Sequence, residues 1–279
     1  MIRLAPALAA VFLLSGACAG APTGEAEEPT VAAPAPGPEL AAVLGAPHRT
    51  PEQRARDQYR RPAETLAFWG LRPGATVVEI GPGEGWWTEI LAPYAARTGG
   101  RYVAALGTSP QADQFVARYQ ANSTLYGQFD RAAFSGQSMT LEPASADMIL
   151  VARAFHNWAR QDGYTDRAMT AFAAALKPGG VLAVEQHRAP AGADPKAGTG
   201  YVPESYVIEA AERAGLVLDG RSELNANPRD TRDHPFGVWT LPPVRRASQD
   251  GRTLSAEERA RYDAIGESDR MTLRFRKPV

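Results

Sequence analysis

The segment Glu79-Ile80-Gly81-Pro82-Gly83-Glu84-Gly85 sets three glycines at alternate positions, with an acidic residue two places before the first. Glycines spaced this way let a backbone turn sharply and approach a ligand with no Cβ between them. A dinucleotide fingerprint would need its third glycine at position 86, where the chain has Trp86, and no G-K-[ST] follows to make a phosphate loop. A second reactive group is Arg153, His156 and Asn157. An ordinary imidazole, with a pKa of about 6.5, suits a general base at neutral pH; the other reading of His156 is a structural loop histidine. Arg153 can bind an anionic substrate group or form a surface ion pair. Asn157 can orient an acceptor, although asparagine more often bonds local backbone. Glu185 and His187 make a third group. With His156 they would form a carboxylate–imidazole cluster, which is also a conceivable metal set, but no H-E-x-x-H is present and no metal is expected. Trp86, Trp87 and Trp158 can wall a ligand pocket or hold a cationic methyl group by cation–π attraction. Trp87 is expected to be simply buried.

A frame must bring these groups together. Residues 75–80, 102–106, 147–151, 180–186, 216–224 and 271–275 read as strands. Residues 86–96, 110–121, 163–176 and 203–214 read as helices, the second capped by Ser109. Thr50-Pro51-Glu52-Gln53 reads as a helix start, with Thr50 as N-cap, Pro51 in the first turn and Gln53 completing a capping box. That helix is expected to run to about Trp69. Alternating strands and helices imply an α/β, doubly wound, mostly parallel sheet. Ligands bind such sheets beyond the carboxyl ends of the strands, where the strand order reverses. The chemistry is therefore expected within residues 79–87, 106–109, 152–158 and 185–190. Asp57 and Tyr59 read as an exposed helix face or as a cover over the ligand mouth. Residues 221–234, polar and irregular, read as a possible lid. His48 and His234 carry no readable role.

Val77 to Gly85 resembles motif I of the class I S-adenosylmethionine-dependent methyltransferases. Leu176-Lys177-Pro178-Gly179-Gly180-Val181-Leu182 is similar to that family's turn before its fifth strand, and Ala146-Asp147-Met148-Ile149-Leu150 to its fourth strand. Glu79 to Leu91, Phe155-His156-Asn157-Trp158 and the final Phe275-Arg276-Lys277-Pro278 resemble a narrower group of exported predicted methyltransferases. The resemblance implies a Rossmann-like, seven-stranded methyltransferase fold with an N-terminal helix and an antiparallel last strand. It implies S-adenosylmethionine as cofactor, with Glu79, Gly81, Gly83 and Gly85 at its amino-acid end. Pro82 and Trp86 of the same turn, and Leu106 and Gly107 after the second strand, join that cofactor set. The family usually has Asp or Glu where Leu106 stands, accepting hydrogen bonds from the ribose. Losing such a charged hydrogen bond costs about 1.5–3 kcal/mol. The implied acceptor is a small molecule or an envelope component, and the candidate catalytic residues are His156, Asn157, Arg153, Glu185 and His187. The alternatives are a catalytically inactive methyltransferase-fold protein that binds an envelope ligand or partner, and a metal-assisted hydrolase using His156 and His187.

The 279 residues carry a formal net charge of -1, which excludes a polybasic nucleic-acid binder. A lone cysteine excludes an intrachain disulfide framework and any cysteine-based zinc site. It sits after Arg3, an 11-residue apolar stretch at 4–14 and Ser15-Gly16-Ala17. This order reads as a signal peptide with an imperfect lipobox, in which Cys18 becomes the lipidated first residue. The alternative is soluble secretion, with cleavage after Ala17-Cys18-Ala19. The expected organisation is a signal segment at 1–18, a flexible linker at 19–47 and a methyltransferase-like domain at 48–279. The expected location is the periplasm, anchored to the outer membrane. Radiolabelled palmitate fed to expressing cells should label the wild-type chain and not Cys18→Ala; equal labelling of the two refutes the anchor.

Overall fold

The computed structural model describes Met1 and residues 37–135 and 138–279, so the signal segment, Cys18 and most of the expected linker lie outside the described residues. The residues from 37 onward belong to one compact unit. Four short helices lead in: α1 (Pro38–Leu44), α2 (Pro51–Ala55), α3 (Asp57–Arg60) and α4 (Pro62–Trp69). Then come β1 (Thr76–Ile80), α5 (Thr88–Thr98), β2 (Arg101–Leu106), α6 (Pro110–Gln120), α7 (Ser123–Tyr126) and β3 (Phe129–Ala133). The second half runs β4 (Ala146–Ala152), α8 (Phe155–Trp158), α9 (Tyr164–Ala175), β5 (Leu176–His187), α10 (Glu204–Arg213) and β6 (Val217–Ser222). An excursion with β7 (Pro235–Val238), the hairpin β8 (Ser248–Gln249) and β9 (Arg252–Thr253), and α11 (Ala256–Ile265) precedes the last strand, β10 (Arg270–Arg276).

Seven strands form one sheet in the order β3-β2-β1-β4-β5-β10-β6. All neighbours are parallel except at β10, which runs antiparallel to both β5 and β6. This is the doubly wound, mostly parallel, Rossmann-like methyltransferase fold. Both faces are covered, so the central strands read as continuous apolar runs. Val77, Met148 and Leu150 pack with Leu66, Trp69 and Ile90 on one face. Val78, Ile149 and Val151 pack with Met169, Phe172 and Val207 on the other. The order reverses between β1 and β4, which opens a crevice at their carboxyl ends.

Three expectations about organisation are corrected. The end of the supposed linker folds: Pro38 starts α1, and Leu40 and Val43 are buried beside Trp69 and Ile90. Leu40, Val43 and Leu44 are spaced as one helical stripe. The expected single helix from 50 to 69 is three pieces. Arg61 adopts a left-handed conformation (φ 37°) before Pro62, because proline disfavours the helical region for the residue before it. Residues 221–234 are no lid. Asn225 donates to Thr65 and Thr272, and Asn227 to the carbonyls of Ile265 and Glu267. Buried Asp230 accepts from Tyr201, His234 and the Asp269 amide. The buried polar side chains Asn225 and Asp230 thus tie this stretch to α4, β10 and the loop before it.

Candidate active site

The crevice is a cavity of about 460 Å³, within the range of small-molecule sites. On one side it is bounded by the β1–α5 turn. Gly81 and Gly83 both have φ of 59°, the left-handed region that favours glycine, and a Cβ on either would meet no atom within 4 Å. They therefore make an open cradle facing the cavity. Gly85 differs: it does not line the cavity, and a Cβ there would collide with the Tyr119 hydroxyl. Its absence of a side chain serves packing of the turn on α6.

Glu79 closes the base of the cradle. Its Oε2 accepts from the hydroxyls of Tyr102 (2.6 Å) and Thr88 (2.8 Å). Burial pushes this carboxyl up to about 7, against the pull of those two hydroxyls and of Arg153. Trp86, Leu106 and Gly107 also line the cavity, as does Pro82. Leu106 puts an apolar surface at the end of β2, and Glu79 is the one carboxylate among the described lining residues. The face of Trp86 is already covered, with the Arg60 guanidinium 4.6 Å and that of Arg49 5.5 Å from its centroid. Two cations of the protein thus already use its ring. Trp87 is buried as expected, its Nε1 donating to Glu185 Oε2 at 3.2 Å.

Arg153, His156 and Asn157, on the turn after β4, line the same cavity, as does His187 at the end of β5. The expected imidazole–carboxylate cluster does not form. The His156 and His187 rings are 5.8 Å apart between centroids. Glu185 faces away, in an ion pair with Arg270 at 2.7 Å, and does not line the cavity. Among the described residues no group of three His, Cys, Asp or Glu side chains is placed to hold a metal ion. Burial pushes Glu185 up, but Arg270, Arg60 and Arg153 together hold it below the ordinary carboxylate range. Behind it, Glu267 binds Arg56 (2.7 Å), Arg60 (2.9 Å) and Arg270 (2.9 Å).

The Gln186 amide sets the state of His156. Its Oε1 accepts from the Phe155 amide (3.2 Å) and its Nε2 donates to the Gly200 carbonyl (3.1 Å), so the amide has one orientation. The same Nε2 lies 3.4 Å from both the His187 carbonyl and His156 Nδ1, and since an amide NH2 offers no lone pair to a ring N–H, the contact favours Nδ1 as acceptor. The ring proton therefore sits on Nε2. Burial, helped by Arg160 and Arg153, pushes this imidazole down to about 4. His156 is thus a neutral hydrogen-bond donor at neutral pH, not the poised base its unperturbed pKa suggests. His187 is likewise held well below the ordinary range by burial and by His156, with Nδ1 2.6 Å from the Ser268 hydroxyl.

The sequence reading missed much of the wall. Phe134, Tyr164, Val238, Trp239, Pro242, Pro243 and Val244 line the cavity, and Trp239 meets His156 edge-on at 5.8 Å. The apolar run 238–244, which does not pair in the main sheet, was the available signal. Asp57 and Tyr59 do not line the cavity. Asp57 pairs with the buried Arg49 at 2.6 Å, and the Tyr59 carbonyl accepts from Arg270. His48 Nε2 donates to the Glu89 carbonyl at 2.8 Å, and His234 pairs with Asp230.

Residues 78–184 match the family model described as a methyltransferase domain. No curated protein matches the chain in sequence. Among solved structures, the (4+2)-cyclase SpnF is 18% identical with a TM-score of 0.55, over 84% of this chain and 85% of that one. A putative sarcosine dimethylglycine methyltransferase from Galdieria sulphuraria is 17% identical with a TM-score of 0.53, over 81% and 87%. Geranyl diphosphate C-methyltransferase from Streptomyces coelicolor A3(2) is 16% identical with a TM-score of 0.51, over 87% and 89%. These likenesses are of fold. Together they define a class of fold: residues 78–184 match a methyltransferase domain, and the chain as a whole has the architecture of solved methyltransferase-fold proteins.

Two titrations check the site. The native Glu79 holds its proton up to about pH 7 while the unfolded chain releases it at about 4.5, so this group's contribution to stability falls as pH rises through that window. Glu79→Gln keeps an acceptor for both hydroxyls. It should gain on the wild type between pH 5 and pH 8 in thermal melts, by up to about 3 kcal/mol; a constant difference refutes the raised pKa. The His156 ring, followed by NMR, should titrate near pH 4, with no inflection between about pH 5.5 and 8.

Proposed function

We propose that this chain is an S-adenosylmethionine-dependent methyltransferase acting on a small-molecule acceptor at the cell envelope, where a lipid on Cys18 anchors it. The observation that carries the reading is the open cradle of Gly81 and Gly83, left-handed and facing a 460 Å³ cavity, with Glu79 at its base. Backbone without side chains there can approach an extended ligand closely, and a carboxylate beneath it suits a ligand with a positively charged end. Gly81, Pro82 and Gly83 would hold the amino-acid end of the cofactor, with Glu79 opposite its ammonium group. Leu106 and Gly107 would pack against its nucleoside end without a carboxylate for the ribose.

When bound, S-adenosylmethionine supplies a methyl group already activated for displacement. What remains for the protein is alignment and exclusion of water. Phe134, Trp158, Tyr164 and Trp239 supply the dry wall. His156 Nε2–H and Asn157 offer donors to orient an acceptor. Because His156 is neutral and weakly basic, the reading favours an acceptor atom that needs no strong base to become nucleophilic.

A second reading, a methyltransferase fold that binds an envelope ligand without catalysis, is favoured by one observation, the apolar Leu106 at the ribose position. An exported domain is also separated from the cytoplasm, where the methyl donor is made. Fold alone leaves the activity open, and one solved structure of this fold is described as a cyclase. The metal-assisted hydrolase reading loses its residues, since Glu185 turns away from both histidines.

Titration calorimetry on the full chain with S-adenosylmethionine and S-adenosylhomocysteine separates the first two. Binding should be measurable, and at pH 7 it should release protons as a cationic ligand ionises Glu79, seen as heats that differ between phosphate and Tris buffers. No heat at about millimolar ligand, where the binding free energy is only about -4 kcal/mol, refutes the methyltransferase reading.

A further inference from the structure

Arg153 is an arginine without an anion. Arg153 lines the cavity, yet among the described residues no side-chain hydrogen bond or ion pair reaches its guanidinium, and its Nε is buried and unpartnered. Its backbone is held in the left-handed region at φ 57°, with the amide donating to the Glu185 carbonyl at 2.6 Å. Left-handed backbone is unfavourable for a side chain of this length and persists where surroundings impose it.

The charge around it is unbalanced. Arg60, Arg153 and Arg270 gather around two buried carboxylates, Glu185 and Glu267, and Arg56 adds a fourth, partly solvated guanidinium on Glu267. Arg60 and Arg270 pair with those carboxylates at 2.7–2.9 Å, and neither carboxylate comes within ion-pair distance of Arg153. The carboxylate on the wall, Glu79, takes the Tyr102 and Thr88 hydroxyls on Oε2 and makes no ion pair with Arg153. A buried guanidinium with no contact partner, in a network holding more guanidinium groups than carboxylates, can take an anion supplied from outside, and a planar fork matches a carboxylate or phosphate in two parallel hydrogen bonds. Beside it, His156 Nε2–H is a second donor without a protein partner. The rest of that wall is apolar and aromatic, formed by Trp158, Trp239 and Val244.

We propose that Arg153 docks an anionic group, so that the acceptor is an amphiphile with an apolar body and a carboxylate or phosphate end. This rests on the methyltransferase reading only for the word acceptor; the anion site stands on the geometry alone. The same chemistry could come from the carboxylate at the cofactor's amino-acid end, and the experiment separates the two sources.

Binding to the full chain is measured for phenyl phosphate, phenylacetate, neutral benzyl alcohol, S-adenosylhomocysteine and 5′-methylthioadenosine, which lacks the amino-acid end. The variants are Arg153→Met and Arg153→Gly, the second matched to the left-handed backbone. At least one anionic probe should bind the wild type and weaken by about tenfold to a hundredfold in the variants. Benzyl alcohol and S-adenosylhomocysteine should bind all three proteins alike. Failure of both anionic probes to bind, or equal affinity in wild type and variants, overturns the proposal. Loss of S-adenosylhomocysteine but not 5′-methylthioadenosine in the variants also overturns it, by assigning the guanidinium to the cofactor. If S-adenosylhomocysteine binds no form, the methyltransferase reading falls while the anionic probes still decide the site. Should neither variant fold, phenylglyoxal labelling of Arg153 in the wild type, read by peptide mass spectrometry, should be slowed by the anionic probe; unchanged labelling refutes the site.

Discussion

Glu267 binds three guanidinium groups at once, from the junction of α2 and α3, from α3 and from β10, and through Arg270 the network continues to Glu185 in β5. A buried carboxylate stripped of such partners costs several kcal/mol, so the arrangement is strongly enforced. Burial pushes Glu267 up, and Arg60, Arg270 and Arg56 hold it far below the ordinary range instead. The consequences reach the cavity from two directions. Arg60, fixed by Glu267, lies over Trp86, and Glu185, fixed by Arg270, accepts from Trp87. The two tryptophans that follow the glycine turn are therefore seated by the ion network, and the turn with them.

The sheet supplies the second constraint. Strand order reverses between β1 and β4, so the turns after these strands diverge and leave space between them. Each turn carries a backbone conformation that ordinary side chains avoid: Gly81 and Gly83 on one, Arg153 on the other. On the first, the conformation brings bare backbone to the cavity. On the second, it turns a long cation inward. The excursion between β6 and β10 then walls the opening with Val238, Trp239, Pro242 and Pro243. Polar backbone and carboxylate on one flank, aromatic surface and guanidinium on the other, divide the cavity by chemistry.

Much of this was legible in the chain because it depends on local pattern. The runs at β1, β4 and β5 are apolar on both faces, as buried parallel strands are, and β10 shows itself by alternation, with Met271, Leu273 and Phe275 on one core face. Thr50 and Gln53 form the expected capping box, and Ser109 caps α6. The glycine turn, Arg153, His156, Asn157 and His187 meet at one crevice because strand ends converge in this topology. What stayed hidden depends on contacts distant in sequence. Glu185 looks like a companion to His187 until Arg270, 85 positions on, is seen to claim it. His156 looks like a base until Gln186 fixes its tautomer and burial lowers its basicity. β3 was passed over because Phe129-Asp130-Arg131-Ala132-Ala133 is a half-exposed edge strand with little alternation. The helix α11 has a readable start in the Ser255–Glu258 capping box, but its polar composition leaves little apolar period to read.

The tryptophans have an optical consequence. The chain has five, and four of them, Trp86, Trp87, Trp158 and Trp239, stand on the cavity wall, with the fifth, Trp69, 5.5 Å from Trp87. The protein's ultraviolet emission therefore arises almost wholly from its ligand crevice. Whatever enters there changes the polarity and quenching around most of the fluorophores, so the molecule carries its own reporter of occupancy and needs no attached dye.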